Sequence, residues 1–352
     1  MCRFRNDPGA LPVVAAPNRK RRPPRLRRIE RHRPAAPGSI PPDLAAALAG
    51  QRAAVAASGT DDLAALDAAL GVLPGLLVDL GLGTFLGALA DFKPRLVLRF
   101  RRDPAGRPTG VGDDVVLKVY GDRPRGEGPL LQLWHGLGVP TPRVRSGERG
   151  GCSWLLLEHL PLRPVRVPDR ASRLALTREV AAHGTVMHRP APRLDAVLRP
   201  LPAVMVPRWT SAVAVLAAAG HEVAPHQRAA VLPAYGAGPS RPLHGDLGLP
   251  NLARGPGGRL VLYDASALAG PAAFDAARWS ARLAGDDLGP EELLHVWSEH
   301  EPLEHGCMAT RLLGAECLLE AGSRLVVAAQ DPDAAPPPAI DVLLDAAARL
   351  LT

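Results

Sequence analysis

The sequence predicts an α+β fold of two lobes, a small N-terminal lobe with an antiparallel sheet and a larger, mostly helical C-terminal lobe. Three observations carry this. Residues 94–160 run as short apolar strands separated by Gly- and Pro-containing turns. After Pro161 the apolar residues recur mainly with helical spacing. Only the stretch "LHGDLGLPNLARGPGGRLVLYDAS" (243–266) returns loop and strand to that helical half. At 352 residues the chain is long enough for such a two-lobed unit, and with 4% aromatic residues its core must be mainly aliphatic.

Residues 1–42 read as a disordered basic tail ending in "PGSIPP", whose prolines stop regular structure. Residues 1–34 hold eleven Lys and Arg against Asp7 and Glu30, a net of +9 in a chain of +7, so the remaining 318 residues net −2. The basic character belongs to the tail. It offers weak electrostatic binding to nucleic acid, and the absence of interleaved aromatics argues against base stacking. From Asp43 to Ala90 the Ala/Leu-rich pattern, as in "DDLAALDAALGVL", predicts amphipathic helices. "PRLVLRFRRD" and "VVLKVYGD" predict a β-hairpin with a generous loop, "GEGPLLQLWHGLG" a helix, "VPTPRV" an extended segment and "CSWLLLEHL" a buried strand. Helices follow over 169–189, 205–220, 224–235, 271–284, 290–299, 308–328 and 338–351.

Cys2, Cys152, Cys307 and Cys317 form no C-x-x-C pair and no metal-ligand spacing, which reads as reduced thiols. "ALPVVAAP" is too short and too proline-rich for a signal peptide, and the eleven-residue "AALGVLPGLLV" is too short to span a bilayer. A cytoplasmic protein with no membrane partner is the expectation.

Chemistry concentrates in 243–266. Gly245, Gly248 and Pro250 exclude helix interior, so "HGDLGLPN" reads as a rigid loop presenting the Asp246 carboxylate beside the Asn251 carboxamide. "GGRLVLYDAS" reads as a turn and a strand ending at Asp264. Asn251 and Asp264 are oxygen donors suited to Mg²⁺, which takes one or two protein ligands and leaves the rest to phosphate and water. Asp246 is then left to accept a proton from an attacking hydroxyl. A structural loop held by Asx turns is the alternative for Asp246 and Asn251 alone.

"HGDxxxxN" followed by an apolar strand ending in Asp resembles the catalytic segment of the aminoglycoside phosphotransferase-like kinases, within the protein-kinase-like superfamily. The resemblance implies Asp246 as catalytic base and Asn251 and Asp264 as Mg²⁺ ligands, with His244 supporting the loop. "VVLKVY" resembles the strand whose lysine binds ATP phosphates, implying that role for Lys118, with Glu127 of the next helix as its partner. "WLLLEHL" resembles the hinge, where the backbone of Glu158, His159 and Leu160 would meet adenine. "GPAAFDAARW" resembles the family's helix start with Asp275 as structural acid, and "AAHGTVMHRP" the helix end preceding the catalytic segment. Over about 95–285 the pieces keep the family's order, and the fold so implied is the bilobal protein-kinase-like one. Residues 43–160 would then be the nucleotide-binding lobe and hinge, and 161–352 the helical lobe with catalytic loop and acceptor site.

The sequence departs from that pattern at Gly248, where a second His often stands, and at Ala265 and Ser266 after the metal-binding Asp. No clear glycine-rich phosphate loop precedes the first strand, "DLGLGTFLGAL" being the nearest candidate. The reading implied is an ATP- and Mg²⁺-dependent O-phosphotransferase acting on a small-molecule hydroxyl. Its alternative is a catalytically silent kinase-like protein that binds nucleotide in a regulatory role. Seven acids between Asp286 and Glu304 suggest a cationic acceptor such as an aminoglycoside, or else a solvated helix face.

Overall fold

The computed structural model describes residues 40–57, 60–90, 94–102, 113–121, 126–303, 306–329 and 339–352. The predicted disordered tail falls outside these residues, except at its end. There helix α1 (Pro42–Ala56) starts on Pro42, so the proline run opens a helix: at N1 the missing N–H costs nothing.

Helix α2 (Thr60–Asp79) follows, and then β1 (Leu82–Ala90), β2 (Arg95–Arg102) and β3 (Asp114–Tyr120). Residues 82–90 are thus a strand where the Ala/Leu pattern predicts helix. Gly81, Gly83 and Gly87 weaken a helix here, and pairing with β2 supplies the backbone bonds instead, with three register shifts. Of the glycines in the candidate phosphate loop, Gly83 and Gly87 lie in the body of this strand and Gly81 in the turn before it. Helix α3 (Glu127–Gly136), β4 (Val144–Arg149) and β5 (Cys152–Glu158) complete the lobe.

The five strands form one antiparallel sheet in the order β1-β2-β3-β5-β4. On one face α1 and α2 bury Leu44, Leu66, Leu73 and Leu76 against Leu98, Leu117 and Leu156. The other face packs Leu155 and Leu157 with Trp134 of α3 and with residues of the helical lobe, among them Leu247, Leu262 and Trp279. The two lobes therefore share a core.

The short β6 (Arg163–Pro164) leads into α4 (Arg170–Ala181), α5 (Gly184–Met187), β7 (Arg199–Pro200), α6 (Leu201–Ala218) and α7 (Pro225–Gly236). The interrupting segment holds β8 (Arg241–Leu243), β9 (Leu252–Arg254), β10 (Leu260–Leu262) and β11 (Leu268–Gly270). Then come α8 (Ala273–Leu283), α9 (Pro290–Ser298), α10 (Gly306–Ala329) and α11 (Ile340–Leu350). Two three-stranded sheets, β10-β9-β6 and β7-β11-β8, tie the segment to the lobe. Helix α10 is the axis of the large lobe, burying Leu312, Leu313, Leu318 and Leu319 among α6, α7, α8 and α11. By length and composition α6 is long and apolar enough to cross a bilayer, yet it buries Leu201, Met205, Trp209 and Leu216 in this core and carries Arg208. The predicted bilobal α+β architecture is the one observed.

Gly121, just past β3, lies hard against α2, where a Cβ would collide with the main chain at Ala65 and Ala69. Backbone cannot rotate away as a side chain can. Gly121→Ala is expected to cost ~1–3 kcal/mol by overpacking, read as a lower urea midpoint with unchanged slope.

Candidate active site

The β9–β10 hairpin explains why a loop residue and a strand-end residue meet. Its antiparallel register pairs Leu252 with Leu262, so Asn251 just before β9 and Asp264 just after β10 emerge at one end. The Tyr263 N–H donates to the Asn251 carbonyl at 3.1 Å and extends the pairing beyond the strands. β10 itself ends at Leu262, two residues earlier than the sequence suggests, and Asp264 adopts the left-handed conformation with φ 56°. For a non-glycine residue such a backbone is uncommon, and Asp tolerates it better than most. It turns the carboxylate toward the small lobe.

There Asp264 meets two cations. Lys118 Nζ lies 2.8 Å from Oδ1, and Arg95 Nη2 lies 3.1 Å from Oδ2. Lys118 also reaches Glu127 Oε1 at 2.7 Å, and the Tyr120 hydroxyl donates to Glu127 Oε2 at 2.5 Å. Lys118 and Glu127 are both buried. The predicted Lys118–Glu127 pair therefore forms, across a short connection that brings Glu127 in at the first turn of α3. Burial opposes charge on Lys118, but Glu127, Tyr120 and Asp264 outweigh it and raise its pKa above the ordinary lysine value. Burial likewise opposes the Asp264 carboxylate, and Lys118 and Arg95 overcome it to hold the group at about 2. Arg95 and Tyr120 were not among the residues singled out from sequence. Tyr120 was legible, since two positions beyond Lys118 it shares that residue's face of the strand.

Asp246 is held as firmly. Arg278 Nη2 and Arg282 Nη2 approach its Oδ1 at 3.0 and 2.8 Å, and Asn251 Nδ2 donates to its Oδ2 at 3.1 Å and to its carbonyl at 2.7 Å. Burial raises its pKa, yet Arg282 and Arg278 prevail and keep the carboxyl below the usual range. A carboxylate held this way stays ionised and keeps one orientation. Arg278 spans to Glu316 Oε2 at 2.7 Å, and Glu316 accepts in turn from the Tyr235 hydroxyl at 3.0 Å. These arginines also escaped the sequence reading. Their signal was the stripe Asp275, Arg278, Arg282 at helical spacing on α8.

The loop carrying Asp246 hangs on Asp275. This fully buried carboxylate accepts from the His244 N–H at 2.7 Å, the Gly245 N–H at 2.9 Å and His188 Nε2 at 3.1 Å. His188 Nδ1 lies 2.7 Å from Glu301, so as an imidazolium it bridges two buried acids. Burial lowers its pKa, but Asp275 and Glu301 more than compensate and raise it to about 9. His244 donates from Nε2 to the Tyr263 carbonyl at 3.1 Å, which fixes its neutral tautomer, and its carbonyl accepts from Ser266 at 2.7 Å. Gly245, at φ 74°, passes so close to Leu268 that a Cβ would clash.

At the expected hinge, Glu158 closes β5 and His159 and Leu160 follow it. The Glu158 N–H donates to Arg143 O at 2.9 Å and the His159 N–H to Asp114 O at 3.0 Å, so the sheet already uses both amides. The Leu160 N–H has no such partner among the described residues. For a divalent cation, Asn251 spends its amide nitrogen on Asp246 and leaves Oδ1 available, while Asp264 is a carboxylate. This pair of hard oxygens fits Mg²⁺, though not without competition from Lys118 and Arg95 at Asp264. The acids of 286–304 do not face this site unpaired. Asp286 accepts from Ala339, Asp287 pairs with Arg173, Glu291 with Arg349, Glu292 with Arg170, Glu299 with Arg178 and Glu301 with His188. Glu304 lies outside the described residues.

Solved structures similar to this chain are small-molecule kinases. Amicoumacin kinase hAmiN is 14% identical, with 80% of this chain and 92% of that one aligned at a TM-score of 0.49. Choline kinase LicA from Streptococcus pneumoniae is 14% identical over 80% and 96% of the two chains at 0.46. An aminoglycoside-3'-phosphotransferase of type VIII is 22% identical over 72% and 98% at 0.45. No protein-family model matches the sequence, and no curated protein does.

His188 gives a pH signature. Its folded pKa lies above the ordinary histidine value near 6.5, so its contribution to stability is complete below about pH 6.5 and is lost as pH rises through about 9. His188→Gln is expected to cost on the order of a few kcal/mol at pH 6, at ~1.4 kcal/mol per tenfold in proton affinity, and much less at pH 9.5. Urea unfolding of both proteins at the two pH values checks it; a pH-independent gap would contradict the ion-pair role.

Proposed function

We propose that the chain is an ATP- and Mg²⁺-dependent O-phosphotransferase that moves the γ-phosphoryl group to a hydroxyl of a small molecule. The observation that carries this reading is the convergence, at one end of the β9–β10 hairpin, of Asp246, Asn251 and Asp264 with the buried Lys118–Glu127 pair. Lys118, kept in place by Glu127, holds the donor's phosphates. The Leu160 amide, with the backbone around Glu158 and His159, receives the adenine edge. Asn251 and Asp264 would hold Mg²⁺, which when bound supplies positive charge beside the transferring group. Asp246 orients the acceptor hydroxyl and takes its proton. With its low proton affinity Asp246 works mainly by orientation, which suits a loose phosphoryl-transfer transition state. In support, the similar amicoumacin kinase was solved with AMP-PNP and Ca²⁺, and LicA with AMP. A cytoplasmic setting, where ATP and Mg²⁺ are abundant, belongs to the same proposal. The acidic 286–304 segment lends no support to a cationic acceptor, because its described acids are engaged elsewhere.

A second reading, a nucleotide-binding protein without transfer, draws on the cations already seated on Asp264 and on the displaced glycines. The two separate in one experiment. Wild-type chain, ATP and Mg²⁺ are incubated with a panel of hydroxylated amines, sugars and acids, and ADP and phosphorylated product are measured. ATP binding with no transfer to any acceptor favours the silent reading.

Asp246→Asn preserves the size of the side chain beside Arg278 and Arg282. It is expected to bind ATP with wild-type affinity and to lose ~10²–10⁴-fold in turnover. Undiminished turnover would remove Asp246 from its role. Asp264→Asn is expected instead to raise the Mg²⁺ concentration needed for half-maximal activity by ~10-fold or more, in an Mg²⁺ titration at saturating ATP.

A further inference from the structure

Arg95 opens β2, where the chain returns from β1, and lies opposite Tyr120 in the β2–β3 ladder. Its side chain therefore stands on the face of the sheet that carries Tyr120 and Lys118. Its main chain is fixed, since its carbonyl accepts from the buried Gln51 of α1 at 2.8 Å. The guanidinium is held less completely. Nη2 lies 3.3 and 3.1 Å from the two oxygens of Asp264, and Nη1 meets the Tyr120 hydroxyl at 3.3 Å. These distances are long for charge-assisted bonds, and the buried Nε donates to nothing among the described residues.

The two cations on Asp264 are therefore not equivalent. Lys118 also holds Glu127, at 2.7 Å, and keeps a carboxylate if Asp264 turns to another cation. Arg95 has Asp264 as its one ion-pair partner among the described residues, and the side chains of that pair are 27% and 30% exposed, against 9% for Lys118. A divalent cation entering from solvent meets the looser, more open contact first, and its charge repels the guanidinium. Arg95 is then left without an acid at the edge of the cleft. A nucleoside triphosphate brings more negative charge than one divalent cation and one lysine offset. The chain between β1 and β2, "DFKP", holds no glycine to bring backbone N–H groups close to phosphate, whereas a guanidinium matches phosphate oxygens with its planar fork.

We propose that Arg95 is a donor-phosphate ligand held in reserve on the metal-binding carboxylate: it screens Asp264 until a divalent cation takes that group, then passes to the terminal phosphates of the nucleotide. The identity of the cation and of the donor rests on the phosphotransfer reading.

The test compares the full chain with its Arg95→Gln variant, which removes the charge and keeps a polar side chain. In the absence of nucleotide, Mn²⁺ is the probe, and its binding is read from the paramagnetic resonance of the free ion. Arg95→Gln is expected to bind Mn²⁺ ~10-fold or more tightly than the wild type, because a competing cation has left Asp264. At saturating Mg²⁺, calorimetric titration is expected to show the variant ~10-fold or more weaker for ATP and unchanged for AMP, which lacks the terminal phosphates. A merely structural role would weaken Mn²⁺, ATP and AMP together. Unchanged ATP affinity, parallel losses for ATP and AMP, or Mn²⁺ binding no tighter than in the wild type overturns the inference. A wild-type chain that binds ATP and shows these opposite shifts, yet transfers to no acceptor, sinks the phosphotransfer reading and leaves the role of Arg95 standing. One that binds neither nucleotide overturns both.

Discussion

The hydrogen bonds that Asp275 accepts hold the site together. A carboxylate with no exposure to solvent survives as an anion only if donors surround it. Asp275 takes two from the backbone of His244 and Gly245 and one from His188, which Glu301 steadies from behind. The His244–Gly245 peptide is thereby clamped to the start of α8. That clamp sets the height of Asp246 above the helix and places it over Arg278 and Arg282, one and two turns further along. Without the buried anion, a glycine-containing loop would have many conformations, and the arginine contacts would have to select one of them alone.

Charge in the cleft is arranged in two nearly neutral groups. Toward the small lobe, Lys118 and Arg95 balance Glu127 and Asp264. Toward the helical lobe, Arg278 and Arg282 balance Asp246 and Glu316, with Arg278 shared between the two acids. Buried charges left without partners are costly, so each group stands only as a set. Oriented dipoles and charges fixed before a reaction need no reorganisation during it, which is how such networks aid charge transfer. The cations on Asp264 and Asp246 keep both carboxylates ionised where burial alone would favour protonation.

Much of this was legible in the sequence. Turn-forming residues marked the loop, the apolar run "RLVLY" marked the strand leading to Asp264, and helical spacing located the elements after Pro161 to within a few residues. Lys118, Glu127, Asp246, Asn251 and Asp264 were grouped by pattern and are grouped in space. What escaped has a physical reason in each case. Strand β1 owes its conformation to pairing with β2, and a segment rich in Ala, Leu and Gly carries little local preference to announce it. Arg95 acts across the cleft on a residue 169 positions away. The acids after Asp286 looked like one surface, but their partners come from α4, from the start and end of α11 and from His188 just past α5, and disperse that charge.

Trp134 of α3 stacks on His244, the ring centroids 6.1 Å apart and the planes 21° from parallel, and its indole N–H donates to the Met187 carbonyl at 3.0 Å. The helix that begins with Glu127 thus rests on the same histidine whose backbone Asp275 clamps. The Lys118–Glu127 pair and the loop carrying Asp246 therefore meet through one ring contact, Trp134 on His244. Under the function proposed, a donor and an acceptor that each tightened this contact would, by thermodynamic reciprocity, alter each other's affinity by the same factor.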